Sequence, residues 1–173
     1  MFDKILIANR GEVAVRIIRT ARRLGIKTVV VYSDADADSL AVEMADESVR
    51  IGPPPAALSY LVIDNIVAAA KETGAQAIHP GFGFLSEKAE FADRLAAEKI
   101  VFIGPNPHAI RAMGDKIESK KAAQAAGVSC VPGFIGEIDG VPHAVKTAEE
   151  IGYPVMIKAS AGGGGKGIRV AGN

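Results

Sequence analysis

The stretch Lys4-Ile5-Leu6-Ile7-Ala8-Asn9-Arg10-Gly11-Glu12-Val13-Ala14-Val15-Arg16-Ile17-Ile18-Arg19-Thr20-Ala21-Arg22-Arg23-Leu24-Gly25-Ile26-Lys27-Thr28-Val29-Val30-Val31-Tyr32 decides the fold. Ile5 to Ala8 is an unbroken apolar run, the signature of a strand buried on both faces. Val13, Ala14, Ile17, Ile18, Ala21 and Leu24 recur at helical spacing, which predicts a helix over Gly11 to Leu24. Gly25 suits the position just past its end. Thr28 to Tyr32 is again apolar and β-branched, so the segment reads strand, helix, strand. Two such strands separated by one helix are joined in parallel by a crossover.

Outward from that unit the alternation continues. Leu40 to Ala45 reads as a short helix and Ser48 to Ile51 as a strand. Gly52-Pro53-Pro54-Pro55 can be neither. A helix is expected over Tyr60 to Thr73, a strand at Ala77 to His79, a helix over Ser86 to Glu98 and a strand at Ile100 to Ile103. The expected fold class is therefore α/β, a parallel sheet with helices on both faces. After Pro105 the pattern changes. Helices are expected over Pro107 to Met113, Lys116 to Ala126 and Ala144 to Ile151, and strands at Pro154 to Lys158 and from Ile168. A boundary near Met113-Gly114 divides residues 1–113 from residues 114–173. The second part has few elements to pack on, so the sequence reads there as an incomplete domain.

Composition narrows the functional classes. The 173 residues include 20 basic and 20 acidic side chains, so the formal charge is zero. That removes the electrostatic drive for non-specific nucleic-acid binding. Three Tyr, six Phe and no Trp offer little stacking surface for single strands. No apolar run reaches the ~20 residues of a membrane span. The single cysteine, Cys130, excludes an internal disulfide. A reducing, cytoplasmic compartment is the expectation, with no nucleic-acid or membrane partner. Cys130 beside Val131-Pro132 reads as a buried structural thiol.

The glycine-rich stretch Ser160-Ala161-Gly162-Gly163-Gly164-Gly165-Lys166-Gly167 has the composition of a phosphate loop. A Walker loop needs glycine where Ser160 stands and Ser or Thr where Gly167 stands. Gly162, Gly164 and Gly167 fit a dinucleotide fingerprint, but that fingerprint must open a helix, and Ile168-Arg169-Val170 reads as a strand. What remains is a strand–loop–strand hairpin whose amides can turn toward phosphate oxygens. The alternative is an exposed turn. Lys158, at the end of an apolar strand, is a point charge suited to phosphate, or an ordinary edge lysine. Lys116 follows Asp115, a candidate N-cap. A lysine in a first helical turn opposes the helix dipole unless an anion sits nearby, although a plain exposed lysine fits too.

Other clusters carry less. Asp34, Asp36 and Asp38 open like a calcium loop, but Ser39 and Ala45 stand where glycine and glutamate are required. Helix capping and solubility account for these acids. His79, His108 and His143 have no ligand spacing, so no metal site is expected within the chain. Arg10, Arg16, Arg19, Arg22 and Arg23 form a basic stripe, either a solvated helix face or a subunit interface.

Several blocks occur in order: Ala8-Asn9-Arg10-Gly11-Glu12, Ser59-Tyr60-Leu61, His79-Pro80-Gly81-Phe82-Gly83-Phe84-Leu85-Ser86-Glu87, Phe102-Ile103-Gly104-Pro105, Met113-Gly114-Asp115-Lys116, and Gly152-Tyr153-Pro154-Val155-Met156-Ile157-Lys158-Ala159-Ser160 with its glycines. On these blocks the chain resembles the N-terminal part of the biotin carboxylase component of biotin-dependent carboxylases. Residues 112–120 and 157–167 are most similar to the propionyl-CoA branch, while the methylcrotonyl-CoA, acetyl-CoA and pyruvate branches share most blocks.

The resemblance implies a Rossmann-like domain followed by the truncated start of an ATP-grasp domain. It implies an ATP-dependent ligase that uses Mg-ATP to convert bicarbonate into carboxyphosphate. The carboxyl group is then placed on N1 of biotin, borne by a carrier domain. Implied cofactors are ATP, Mg2+ and biotin. Implied partners are the biotin carboxyl carrier domain and a carboxyltransferase subunit, in a homo- or hetero-oligomer. By the same resemblance Lys116, Lys158, Gly164 and Gly165 contact ATP. Gly162, Gly163, Lys166 and Gly167 belong to the covering loop, and Phe82 and Gly83 face biotin. The chain departs from the family at Phe82, where tyrosine is usual, and at Ala41, where histidine is frequent. The family's metal-binding glutamates and its catalytic lysine and arginines would lie beyond residue 173, so the chain alone is expected to be inactive.

Overall fold

A computed structural model of the chain describes residues 1–158 and 167–173, with the side chain of Lys116 outside the description. Two compact units divide it, Met1–Arg111 and Ala112–Asn173.

In the first unit five strands form one sheet: β1 (Lys4–Ile7), β2 (Lys27–Ser33), β3 (Glu47–Gly52), β4 (Ala77–His79) and β5 (Val101–Phe102). Their order is β3-β2-β1-β4-β5, and every pairing is parallel. Central β1 sets Ile7 opposite Val30 on one side and His79 on the other. The helices are α1 (Gly11–Arg23), α2 (Leu40–Met44), α3 (Ile63–Thr73) and α4 (Ala89–Ala97), and α5 (Pro107–Gly114) begins at the end of the unit.

Residues alternate between the two sheet faces because strand side chains do. Leu6, Val29, Val31 and Ile78 join Ile66, Val67, Phe91 and Leu95 of α3 and α4 in one buried cluster. Ile5, Ile7, Val30 and Ala77 join Val13, Ile17, Ile18 and Ala41 of α1 and α2 in the other. That double covering is why the strands read as continuous apolar runs. Ala41 is 1% exposed within the second cluster, so a methyl side chain suits its surroundings.

The element limits differ most from the sequence reading in three places. The third helix starts at Ile63, because Tyr60 is wholly buried and its preceding residues form a 3-10 turn, Ala56–Leu58. The fourth starts at Ala89: a 3-10 turn, Phe84–Glu87, comes first, and Lys88 is extended. The seventh starts early, at Gly140, with Pro142 in its first turn, where the missing amide costs no hydrogen bond.

The second unit comprises α6 (Lys116–Ala125), α7 (Gly140–Ile151), β6 (Val155–Lys158) and β7 (Ile168–Ala171). β6 and β7 pair antiparallel, with Lys158 opposite Ile168. Strand follows glycine stretch, as expected, where a dinucleotide fingerprint would need a helix. Cys130 is half-exposed, not buried; its Sγ lies 3.4 Å from the Val128 carbonyl oxygen. The reason is local: among the described residues of this unit only Thr147 is buried.

Candidate functional site

The strand order places a crevice beyond the C-terminal ends of β1 and β4. The chain runs outward from β1 to β3, then returns to β4 on the other side of β1. Ligands of open α/β sheets bind at such a reversal. A cavity of about 380 Å³ opens here, lined among others by Asn9, Arg10, Asp36, Phe82, Gly83 and Phe84.

Asn9 directly follows the β1 end and is 4% exposed. Its Nδ2 donates to the carbonyl oxygens of Pro80 at 2.8 Å and Phe82 at 2.9 Å. Its Oδ1 accepts the Arg10 amide at 2.9 Å. Gly81 makes this approach possible: a Cβ there would stand 2.6 Å from Asn9 Nδ2 and 2.8 Å from Val13 Cγ1, and φ is +68°. The Gly81 amide donates to His79 Nδ1 at 3.0 Å, which requires that nitrogen to be unprotonated. Burial, with the Arg16 charge adding to it, lowers the His79 pKa and favours that neutral form.

The far end of the same loop is also held. Gly83 (φ +64°) and Phe84 (φ +47°) carry the chain through left-handed backbone. The Phe84 ring stacks on Tyr60 with centroids 5.3 Å apart and planes 6° from parallel. The Arg10 guanidinium lies 5.4 Å and 5.7 Å from the Tyr60 and Phe84 ring centroids.

Beneath that stack Asp36 Oδ2 accepts from Tyr60 OH at 2.6 Å and Ser33 Oγ at 2.7 Å, with Arg10 Nη1 at 3.5 Å. Burial alone would raise the Asp36 pKa, but these donors outweigh it and the net shift is downward. Burial, reinforced by the Asp36 hydrogen bond, pushes Tyr60 up to about 12. Asp34, read from sequence as a cap or a solubility residue, instead forms a two-pronged pair with Arg50 of β3, at 2.6 Å and 2.9 Å.

Phe82 is left 68% exposed at the mouth of the crevice, with Gly83 beside it. Both residues singled out on the loop thus line one cavity. The links that hold them, Asn9 to Pro80 and Phe82, and Arg10 to Phe84, were not read from the sequence. The blocks at residues 8–12 and 79–87 were visible, but not their pairing.

The second unit carries the remaining candidates. Asp115 does cap α6: its Oδ1 accepts the amides of Ile117 and Glu118, each at 2.8 Å. Lys116 is the first residue of that helix. Lys158 ends β6 and is exposed, and Gly167 precedes β7 with φ +74°. Gly162, Gly163, Gly164, Gly165 and Lys166 lie outside the described residues. Among the described residues no group of three His, Cys, Asp or Glu side chains could hold a metal ion. No helix among them is long and apolar enough to cross a membrane.

On α1, a shallow groove of about 540 Å³ is lined by Arg16, Arg19, Thr20, Arg22 and Arg23. Arg22 donates to the Met44 carbonyl oxygen at 2.7 Å. Arg16 and Arg19 enter no ion pair among the described residues.

Comparison with known proteins covers both units. Residues 115–173 match the ATP-binding domain of the carbamoyl-phosphate synthase L chain. The chain is 64% identical over all 173 residues to the propionyl-CoA carboxylase alpha chain of Ruegeria pomeroyi, of which it covers 25%. It thus spans about a quarter of the length of the curated relatives it matches. A biotin carboxylase complex from Campylobacter jejuni matches with a TM-score of 0.94 and 48% identity, over 100% of this chain and 39% of that one. A biotin carboxylase domain dimer of the Hydrogenobacter thermophilus 2-oxoglutarate carboxylase, in complex with MgADP, ADP and bicarbonate, matches with a TM-score of 0.92 and 50% identity, over 100% of this chain and 38% of that one. Residues 1–110, which build the whole parallel sheet and its crevice, match the biotin carboxylase N-terminal domain, and the chain belongs to that family.

Proposed function

We propose that the chain is the N-terminal part of a biotin carboxylase in an acyl-CoA carboxylase of the propionyl-CoA type. The complete ligase would use Mg-ATP and bicarbonate to carboxylate biotin on a carrier domain, for use by a carboxyltransferase subunit. The 64% identity to a propionyl-CoA carboxylase alpha chain along the full 173 residues supports the acyl-CoA branch.

The observation that carries the nucleotide half is the β6–β7 pair. Lys158 ends one strand directly opposite the start of the next, and the glycine-rich residues 162–167 join them. A cation at the root of a glycine hairpin would suit phosphate oxygens. Lys116 and Lys158 would neutralise ATP phosphates, and amides of Gly162, Gly163, Gly164, Gly165 and Gly167, with Lys166, would cover them. Each charge-assisted contact of that kind contributes roughly 1.5–3 kcal/mol. Among the described residues no group of three His, Cys, Asp or Glu side chains offers a donor set for Mg2+. Phe82 and Gly83 would face the biotin acceptor from the crevice of the first unit. Phenylalanine gives that loop a ring without a hydroxyl, so its contact there is apolar.

In the full-length protein, Lys116→Met and Lys158→Met should each raise the KM for ATP about tenfold or more, since 1.4 kcal/mol is a factor of ten. The KM for bicarbonate should change much less. An unchanged ATP constant in both variants would remove these lysines from the nucleotide site.

A second reading concerns assembly. The groove on α1 sets Arg16 and Arg19, which enter no ion pair among the described residues, on an exposed face, which suits a subunit interface in a homo-oligomer. The 2-oxoglutarate carboxylase relative is described as a domain dimer. A cytoplasmic site of action stays part of this proposal.

A further inference from the structure

Asn9 is a buried polar side chain whose two donated hydrogen bonds run to one loop. It projects from the end of β1 and donates to two carbonyl groups that flank Gly81, at Pro80 and Phe82. Its third bond, to the Arg10 amide, fixes which end of the amide is oxygen and which nitrogen, because only Nδ2 can donate to two carbonyls. The loop passes so close that a Cβ at Gly81 would stand 2.6 Å from Asn9 Nδ2 and 2.8 Å from Val13 Cγ1. It cannot drift away without leaving both donors of a buried amide unpaired. Downstream, the backbone passes through left-handed conformations at Gly83 and at Phe84, a residue for which that region is uncommon. Strain of this kind persists where the surroundings hold it, and it concentrates where a segment must be presented in one shape. The surroundings here are Asn9 at one end and the Arg10–Tyr60–Phe84 stack at the other. Two consecutive residues after β1 therefore hold both ends of the loop after β4. Between the held ends Phe82 stands largely in solvent.

We propose that Asn9 is a positioning residue for the carboxyl acceptor: by holding the Pro80 and Phe82 carbonyls it fixes the Phe82–Gly83 segment in the shape that receives a cyclic urea such as biotin. The proposal rests on the reading of that loop as the acceptor side. In this role Asn9 acts through the loop, by way of the two carbonyls it holds. Its loss should therefore weaken acceptor binding while leaving the nucleotide half alone.

The test uses the full-length protein with free biotin as the acceptor. Asn9→Asp keeps the size and the acceptor for the Arg10 amide but replaces both donations with carboxylate–carbonyl repulsion. Gly81→Ala presses on the same clamp from the loop side with Asn9 intact. Each should raise the KM for biotin about tenfold, with less than about a twofold change in the KM for ATP. Phe82→Ala serves as the control for the loop itself. If it raises the KM for biotin and the other two do not, the loop reading stands and the clamp is overturned. If Phe82→Ala leaves biotin unaffected, the loop reading fails and the proposal falls with it. Equal losses for biotin and ATP in Asn9→Asp and Gly81→Ala would mean a structural role only, and would also overturn it. Should Asn9→Asp not fold, the Gly81→Ala result alone decides between these outcomes.

Discussion

The two units spend their apolar residues differently. In Met1–Arg111 strands and helices seal one another, so Leu6, Ile7, Val29, Val30, Phe91 and Leu95 are each less than 2% exposed. In Ala112–Asn173 the hairpin leaves Met156 at 57% and Ile157 at 51% exposed, and α7 leaves Val145 at 46%. A parallel sheet needs covering on both faces, and α1 to α4 supply it within the first unit. A two-stranded hairpin is marginal without a further layer. Stability in the first unit therefore comes from burial, while the second relies on local devices such as the Asp115 cap.

The largest effect that could break this contrast is in the core. In the 173-residue chain, Phe91→Ala should cost about 3–5 kcal/mol and Leu6→Ala about 2–5 kcal/mol by denaturant unfolding, from lost burial and the cavity left behind. Ile157→Ala should fall within about 0.5 kcal/mol, as exposed substitutions do. Comparable losses at both places would show that the second unit has a buried core of its own. Hydrogen exchange should agree, with amides of Ile5 to Ile7 better protected than those of Val155 to Ile157.

A smaller effect sharpens the second half of the comparison. Asp115 caps α6 through two amides, so Asp115→Ala should reduce the stability of that helix by about 1 kcal/mol. Loss of helical circular dichroism at lower temperature in the variant would report it. No change would mean that α6 is held by something other than its cap.

The smallest expected effect is a pH dependence within the first unit. His79 has a lowered pKa when folded, so the unfolded chain binds the proton more tightly. The sign follows: its contribution is fully present above the unfolded value of about 6.5, and is lost as pH falls through the lower folded value. Protonation also removes the acceptor of the Gly81 amide. Unfolding curves between neutral and mildly acidic pH should show this slope, and His79→Asn should flatten it.

How much of this was legible depends on the distance over which a contact acts. The unit from β1 to β2 was plain, because Ile5–Ala8, the helical spacing of Val13 to Leu24 and Thr28–Tyr32 are local patterns. The start of α3 was misplaced because Tyr60 and Leu61 continue an apolar rhythm. Only the structure shows that Tyr60 is drawn inward toward Asp36, 24 positions away. The Asn9 clamp spans 71 and 73 positions and depends on β4 pairing beside β1, which spacing along the chain does not encode. Cys130 was misread for a related reason: apolar neighbours such as Val131 indicate burial only if something covers them, and Val131 is 84% exposed. Phe82 and Gly83 on the crevice loop and, in the other unit, Lys158 were legible only as candidates. What holds Phe82 and Gly83 in place was not.

The Tyr60–Asp36 hydrogen bond gives the native state an optical identity. The chain has no tryptophan and three tyrosines, so its near-ultraviolet signal above the phenylalanine bands is tyrosine alone. Of these, Tyr60 is fully enclosed, whereas Tyr153 is 38% exposed and Tyr32 is only partly covered. A phenol that donates to a carboxylate and ionises only at about 12 absorbs as the neutral form well after an unfolded tyrosine has become phenolate. Between pH 10 and 12 the folded first unit is therefore distinguishable from the unfolded chain by the ionisation of one side chain, with no label attached. Because Tyr60 also stacks on Phe84, the same signal reports on the loop that carries Phe82 and Gly83.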